Sequence, residues 1–380
     1  VSELTLANAR LIREDTVTIG CMTVVDGQIT EITDSGEVPA GAIDCAGDFV
    51  SPGLIELHTD NLERHMKPRP GVRAQSVDAV LAHDGELAST GITTVFDALR
   101  VGSVVSDKHS GYAPYAQDAA DAINSLADRN QLRISHLLHL RAEVCSETLE
   151  DELAGFRDTP RVKIVSLMDH SPGQRQFRDI DQLRVYLKGK HNMTDQQVDE
   201  HFVNTAQLHE RVADRHRDLA LAFAREAGAV IASHDDTTAE DVEMACAAKV
   251  GLAEFPTTME AAELCNSNSI AVMMGAPNLM RGGSHSGNVS AAELVAPGLL
   301  QILSSDYVPS SLLRAAVKLG LMLDDMAAGL ASVTSAPARA AVLDDRGTLE
   351  VGKRADLLRF TVDGDLPLVR GVWSAGRQVA

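Results

Sequence analysis

What this chain has little of narrows its class before any motif is read. Its five cysteines, Cys21, Cys45, Cys145, Cys246 and Cys265, are odd in number and scattered, with no C-x-x-C pair among them. That excludes a disulfide framework and a zinc ribbon, and they read as reduced core thiols. No run of about 18 apolar residues occurs, so no segment is expected to span a membrane. The opening VSELTLANARLI lacks the basic head and apolar core of a secretory leader, and the protein is expected to be cytoplasmic. Positive charge is scarce, since 34 Lys and Arg stand against 54 Asp and Glu, a formal net charge of −20. A field of that sign repels nucleic acid and anionic membranes, so neither is expected as a partner. Internal repeats and low-complexity tracts are also missing. What remains is ordinary globular material. With 44% hydrophobic and 23% charged residues over 380 positions, the chain can bury a large core and is not disordered.

The stretch that organises the rest runs from Asp48 to Gly71, DFVSPGLIELHTDNLERHMKPRPG. It starts as an apolar strand, read from Phe49 to Leu57, with Ser51, Pro52 and Gly53 marking a bend near its entry. Strand side chains alternate faces, so Glu56, His58 and Asp60 point one way and Ile55 and Leu57 the other. An imidazole and a carboxylate two residues apart can chelate one divalent ion without bending the backbone. A lone His-x-Asp is also what an ordinary polar strand end looks like, so the remaining strand ends carry the decision.

The frame PGLIELHTD resembles the first barrel strand of the amidohydrolase superfamily, metal hydrolases built on a (β/α)₈ barrel. The phrase from Gly347 to Leu357, GTLEVGKRADL, is similar to that superfamily's C-terminal signature. The resemblance implies an α/β fold: a TIM-like (β/α)₈ barrel over residues 51–342, with a small β-sandwich assembled from residues 1–50 and 343–380. Asp60 stands where the superfamily usually has His. A carboxylate oxygen there hardens the site, leaving zinc as the first expectation and manganese or iron as alternatives.

Eight apolar runs alternate with helical patterns, as parallel βαβ units require. They are Phe49 to Leu57, Thr93 to Ala98, Arg133 to Leu140, Val162 to Met168, Val230 to Ala232, Leu252 to Phe255, Ile270 to Met274 and Leu300 to Leu303. Helices are expected from Gln75 to Thr90 and Tyr115 to Asp128, and the charged stretch from Asp195 to Ala227 reads as two helices or a protruding hairpin. On such a barrel, polar residues just past the strands collect at one mouth. Here those residues are His58 and Asp60, Glu143, His170, His234 and Asp306. A lone His is more often a surface residue than a ligand, but ligand-type residues at five of eight strand ends form a set. Lys163 lies too far before His170 to serve as the carboxylated lysine of many relatives. The resemblance implies instead that Glu143 bridges two divalent ions, with Cys145 as a competing soft ligand, and that Asp306 is the general base as well as a ligand. Asp306 also fits a helix N-cap in SSDYVPSSLL.

The loops speak to substrate. NLERHMKPRPGVR sets Arg64, His65, Lys67, Arg69 and Arg73 close together in a strongly acidic chain, and MRGGSHSGN offers Arg281, Ser284 and His285 among glycines suited to close approach of phosphate oxygens. SPGQRQF adds Arg175. A solvated charged loop and a flexible glycine-rich lid are the plainer alternatives. Together HTDNLERHMKPRPG, GITTVFDAL, LMDHSPGQRQF, ASHDD and MRGGSHSGN closely resemble the triphosphate diphosphatases of phosphonate utilisation, in the carbon-phosphorus lyase pathway. That resemblance implies hydrolysis of the phosphoanhydride of a phosphorylated sugar with release of pyrophosphate. Cleavage of a C–N bond in a small anionic substrate is the other reading, and a homodimer is the expected assembly.

Overall fold

A computed structural model describes residues 3–69, 71–106, 114–175, 180–191, 193–283 and 287–380. Both chain ends enter one mixed sheet of eight strands. Its N-terminal members are β1 (Glu3–Ile12), β2 (Val17–Val25), β3 (Gln28–Thr33), β4 (Ile43–Asp44) and β5 (Phe49–Pro52). The barrel follows, as β6 (Leu54–Thr59), β7 (Ile92–Val101), β8 (Ser135–Glu143), β9 (Val162–Met168), β10 (Val230–His234), β11 (Leu252–Glu254), β12 (Ala271–Gly275) and β13 (Ile302–Ser304). The C-terminal strands β14 (Leu357–Asp363), β15 (Leu366–Ser374) and β16 (Arg377–Gln378) then return to the first sheet, whose order is β16-β15-β14-β5-β1-β2-β3 with β4 on β1. Leu6, Leu11, Met22, Val24, Val50, Leu357 and Trp373 form its buried core.

The eight barrel strands are parallel and pair in chain order. The seam between first and last is closed by a bridge from Thr59 to Asp306 and by Glu56, whose carboxylate accepts from Ser304 Oγ at 2.7 Å and Ser305 N at 2.5 Å. Burial of Glu56 raises its pKa, and these donors offset part of that cost.

Two expectations change. The run Phe49 to Leu57 is not one strand. Phe49–Pro52 pairs with β1 and β14, while Leu54–Thr59 pairs with β7. Gly53 is the crossing point, because a Cβ there would lie 2.2 Å from Thr93 Oγ1 and its N–H is given to Asp356 O at 2.8 Å. The stretch expected as two helices is a single helix, Asp195–Glu226, entered through a capping box between Thr194 and Gln197. It contains neither Gly nor Pro, so nothing breaks the backbone ladder over its 32 residues. Among the described residues no helix is long and apolar enough to cross a membrane.

Candidate active site at the barrel mouth

All six strand-end residues gather at the C-terminal mouth. His58 is the penultimate residue of β6, and its ring stacks on that of His234, with centroids 5.5 Å apart. His170 meets His234 edge-on at 5.9 Å. Asp60 lies 3.8 Å from His58 Nε2 and 2.5 Å from Arg141 Nη1. Burial works against ionised Asp60, but the Arg141 guanidinium, His58 and His234 together outweigh it and hold the carboxyl below its ordinary range. Glu143, the last residue of β8, accepts from His170 Nδ1 at 2.6 Å and from its backbone N–H at 3.2 Å. Burial pushes His170 down, and Glu143 more than reverses it. Cys145 is turned away, its thiol donating to Thr205 O at 3.5 Å and pushed upward by burial, so it is no rival to Glu143.

Asp306 follows β13 with φ 54°, in the left-handed region where Asp and Asn are the most tolerated non-glycine residues. Its backbone carbonyl receives Asp60 N at 3.2 Å and the Thr59 hydroxyl at 2.7 Å, which locks it against β6. Burial, and then the nearby Asp60 carboxylate, push its pKa up from 3.8 to about 7. The arrangement is that of a carboxyl poised to exchange a proton near neutrality.

Two residues at the centre lie outside the strand-end set. His139, mid-β8, and Glu254, the last residue of β11, are fully buried. Glu254 touches three imidazoles: His234 Nδ1 at 2.9 Å, His58 Nδ1 at 3.2 Å and His139 Nε2 at 3.2 Å. Burial alone would raise Glu254, yet His139 and His58 hold it well below its ordinary value. His139 is lowered to about 4, chiefly by burial, and is therefore a neutral ring. Its Nδ1 donates to Leu57 O at 2.8 Å, which leaves Nε2 as a lone pair toward Ser166 Oγ at 2.9 Å. A signal for both residues was present. His139 is four residues before Glu143 in HLLHLRAE, on the same strand face, and Glu254 is an acid closing an otherwise apolar three-residue strand.

Two groups of side chains have ligand atoms close enough to share an ion: His58, His139 and Glu254, and His170, His234 and Asp235. Within them the buried atoms His58 Nδ1, Glu254 Oε1 and Asp235 Oδ2 have no hydrogen-bond partner. Buried polar atoms are rarely left so. Imidazole nitrogens and carboxylate oxygens facing each other unpaired are the donor set a divalent cation satisfies, so the residues present fit one. A third group, His83, Asp97 and His136, contrasts with these. Asp97 bridges His83 Nε2 at 2.9 Å and His136 Nδ1 at 2.7 Å, Asn61 Nδ2 donates to His83 Nδ1, and none of the three histidine and aspartate side chains is unsatisfied. It reads as a brace that carries Asn61, the neighbour of Asp60, and it gives GITTVFDAL its acid.

The basic loop flanks the mouth in the helix Asn61–Met66 and the turn after it. Arg64 is paired to Glu86 at 2.6 Å, and His65 shares that carboxylate. Arg73 is paired to Asp118 at 2.8 Å. Lys67 and Arg69 are exposed and form no ion pair among the described residues, Lys67 Nζ lying 6.0 Å over the Tyr115 ring. Arg175 faces inward, giving Nη1 to His234 O at 2.5 Å and to Asp236 Oδ1 at 2.6 Å. Arg281 ends the helix Ala276–Arg281 and is exposed. Ser284 and His285 lie outside the described residues.

Comparison with known proteins follows the same lines. No family model matches. The chain is 39% identical over 378 residues to alpha-D-ribose 1-methylphosphonate 5-triphosphate diphosphatase of Escherichia coli K12, covering 98% of this chain and 99% of the other. It is 28% identical over 151 residues to imidazolonepropionase of Streptomyces griseus, covering 36% and 38%. Among solved structures, 5-methylcytosine deaminase from Klebsiella pneumoniae superposes with a TM-score of 0.65 at 17% identity, over 99% of this chain and 98% of that one. N-acetylglucosamine-6-phosphate deacetylase from Pasteurella multocida gives 0.62 at 14%, over 99% of each. At such identities the structural likeness speaks for the fold.

Proposed function

Because the chain belongs to the alpha-D-ribose 1-methylphosphonate 5-triphosphate diphosphatase family, by identity that runs from end to end, we propose that it hydrolyses a phosphoanhydride of that triphosphate and releases pyrophosphate. That full-length identity is the observation that carries the reading. The deaminase and deacetylase share only the fold, which hosts many chemistries.

His58, Asp60, His170 and His234 would hold the metal, with His139 and Glu254 completing the inner wall. Two adjacent ligand groups support two ions, and the mixture of imidazole and carboxylate suits zinc first, then manganese or iron. Divalent cations bound there would acidify a water and offset charge on phosphoryl oxygens. The chain's own residues do the rest. Asp306, buried and near neutral in pKa, takes a proton from the attacking water and returns it to the departing phosphate oxygen. Glu143 fixes the orientation of the His170 ring through Nδ1. Arg175 holds His234 by its carbonyl and is a positioning residue. Lys67 and Arg69, exposed cations that form no ion pair among the described residues, meet the triphosphate, and Arg281 and Arg64, with Ser284 and His285, are the further contacts proposed.

The test is direct. Metal-replete protein given the triphosphate should release pyrophosphate, followed by phosphorus NMR, while N-acetylated amino sugars and cytosines stay intact. Turnover of the latter with no pyrophosphate from the former would overturn the assignment.

A further inference from the structure

Far from the mouth, between the start of β8 and the terminal sheet, lies a cavity of about 620 Å³. Ser135, in its wall, opens β8, and Glu143 ends it. The lining runs up β8 as far as Leu137, so six residues of strand at about 3.3 Å each, about 20 Å, separate it from Glu143. Five arginines line it, Arg133, Arg161, Arg346, Arg354 and Arg377, and no Asp or Glu does. In a chain of net charge −20 that concentration is unexpected on composition.

Four aspartates outside the lining, Asp84, Asp128, Asp345 and Asp356, stand against the five arginines and leave one positive charge in excess. Arg346 is held by Asp345 at 2.8 Å, and Arg161 by Asp128 at 2.7 Å. Arg354 and Arg346 share Asp356, at 2.9 and 3.8 Å, and Arg133 reaches Asp84 only at 3.5 Å. Arg377 has no carboxylate partner among the described residues and donates to the carbonyls of Leu132 and Arg133 at 2.9 and 3.3 Å. Each guanidinium carries five N–H groups, so most donors on this wall are still available. Burial lowers the Arg354 pKa, Asp356 opposes that, and the neighbouring Arg346 charge adds to it.

We propose that this cavity is a second anion site, taking a small molecule that carries two or more linked phosphates. Guanidinium forks match phosphate oxygens two at a time, and five of them around one space suit an oligophosphate better than a single phosphate. The volume falls within the range of small-ligand pockets, about 300–1,000 Å³. The site is separate from the mouth, and the inference does not rest on the reaction proposed there.

Calorimetric titration of the metal-replete protein decides it, with inorganic pyrophosphate in one arm and a nucleoside triphosphate in the other. The wild type should show a binding event that Arg133→Gln/Arg377→Gln weakens by at least about tenfold, as expected for lost charge-assisted hydrogen bonds. Turnover without added anion should be kept. The arm with the tighter event tells free pyrophosphate from a nucleotide as the source. Should the double variant fold poorly, Arg161→Gln alone, whose partner Asp128 is exposed, should weaken the same event several-fold. Identical isotherms for variant and wild type in both arms would overturn the proposal.

Discussion

Replacing Asp306 by Asn should make the metal-free protein more stable while destroying its activity. Asp306 sits in left-handed backbone that Asn tolerates equally well, so the change removes charge with little backbone strain. Its pKa stands at about 7 against an ordinary 3.8, raised first by burial and then by Asp60. Between roughly pH 4 and pH 7 the folded protein therefore keeps a proton that the unfolded chain has released, and raising the pH through that window costs stability. The pKa difference corresponds to about 4 kcal/mol as a ceiling, and relaxation of the site brings the expected gain for Asn to the order of 2–4 kcal/mol above pH 7. Denaturant melts of chelator-treated wild type and variant, run from pH 4 to pH 8, measure it. The two should start close together and separate as pH rises, then stay parallel. With divalent cation in excess the order should reverse, because binding to the folded state adds stability that the variant captures less well; a hundredfold excess over Kd is worth about 2.7 kcal/mol. Activity should fall by about two to four orders of magnitude. A stability gap that does not change with pH would refute the account of Asp306 as a buried, half-protonated carboxyl.

Four further outcomes follow from the geometry. Glu254→Gln removes the one carboxylate shared by His58, His139 and His234, and metal affinity, read by competition with a chromophoric chelator, should drop at least about 10–100-fold; full retention would remove Glu254 from the site. Lys67→Ala should raise KM about tenfold for the triphosphate at unchanged kcat, whereas Arg175→Met should lower kcat with KM nearly kept, since its guanidinium grips His234 and Asp236; swapped signatures in steady-state kinetics would reverse the two roles. Gly53→Ala forces a methyl onto Thr93 at the strand crossing and should cost about 1–3 kcal/mol in thermal melts, with no loss if the crossing is more open than described.

Strand ends were the legible part of this site. His58, Asp60, Glu143, His170, His234 and Asp306 each follow an apolar run, and a parallel barrel has one face on which such residues meet. His139 and Arg141 were harder to read because they sit within a strand, where a polar residue looks like a breach of the apolar pattern, and Glu254 ends β11 one residue before the end expected for that run at Phe255. Period-two alternation links His139, Arg141 and Glu143 on one face, but only the neighbouring strands reveal that this face is polar at its upper end. The inward turn of Arg175 depends on Asp236, 61 positions further on, and no local pattern announces that. The junction at Gly53 was visible as a bend, while the change of sheet there depends on Thr93 and Asp356, both distant in sequence.

The Glu56 clasp has a bearing on when the protein can acquire its metal. It joins residues 248 positions apart, and the same seam sets Asp306 against Asp60. A chain lacking its last barrel strand would have neither this closure nor the Ser304 hydroxyl that holds the His58 carbonyl in place. Cation uptake should thus be among the final events of maturation, withheld from incomplete chains by topology alone.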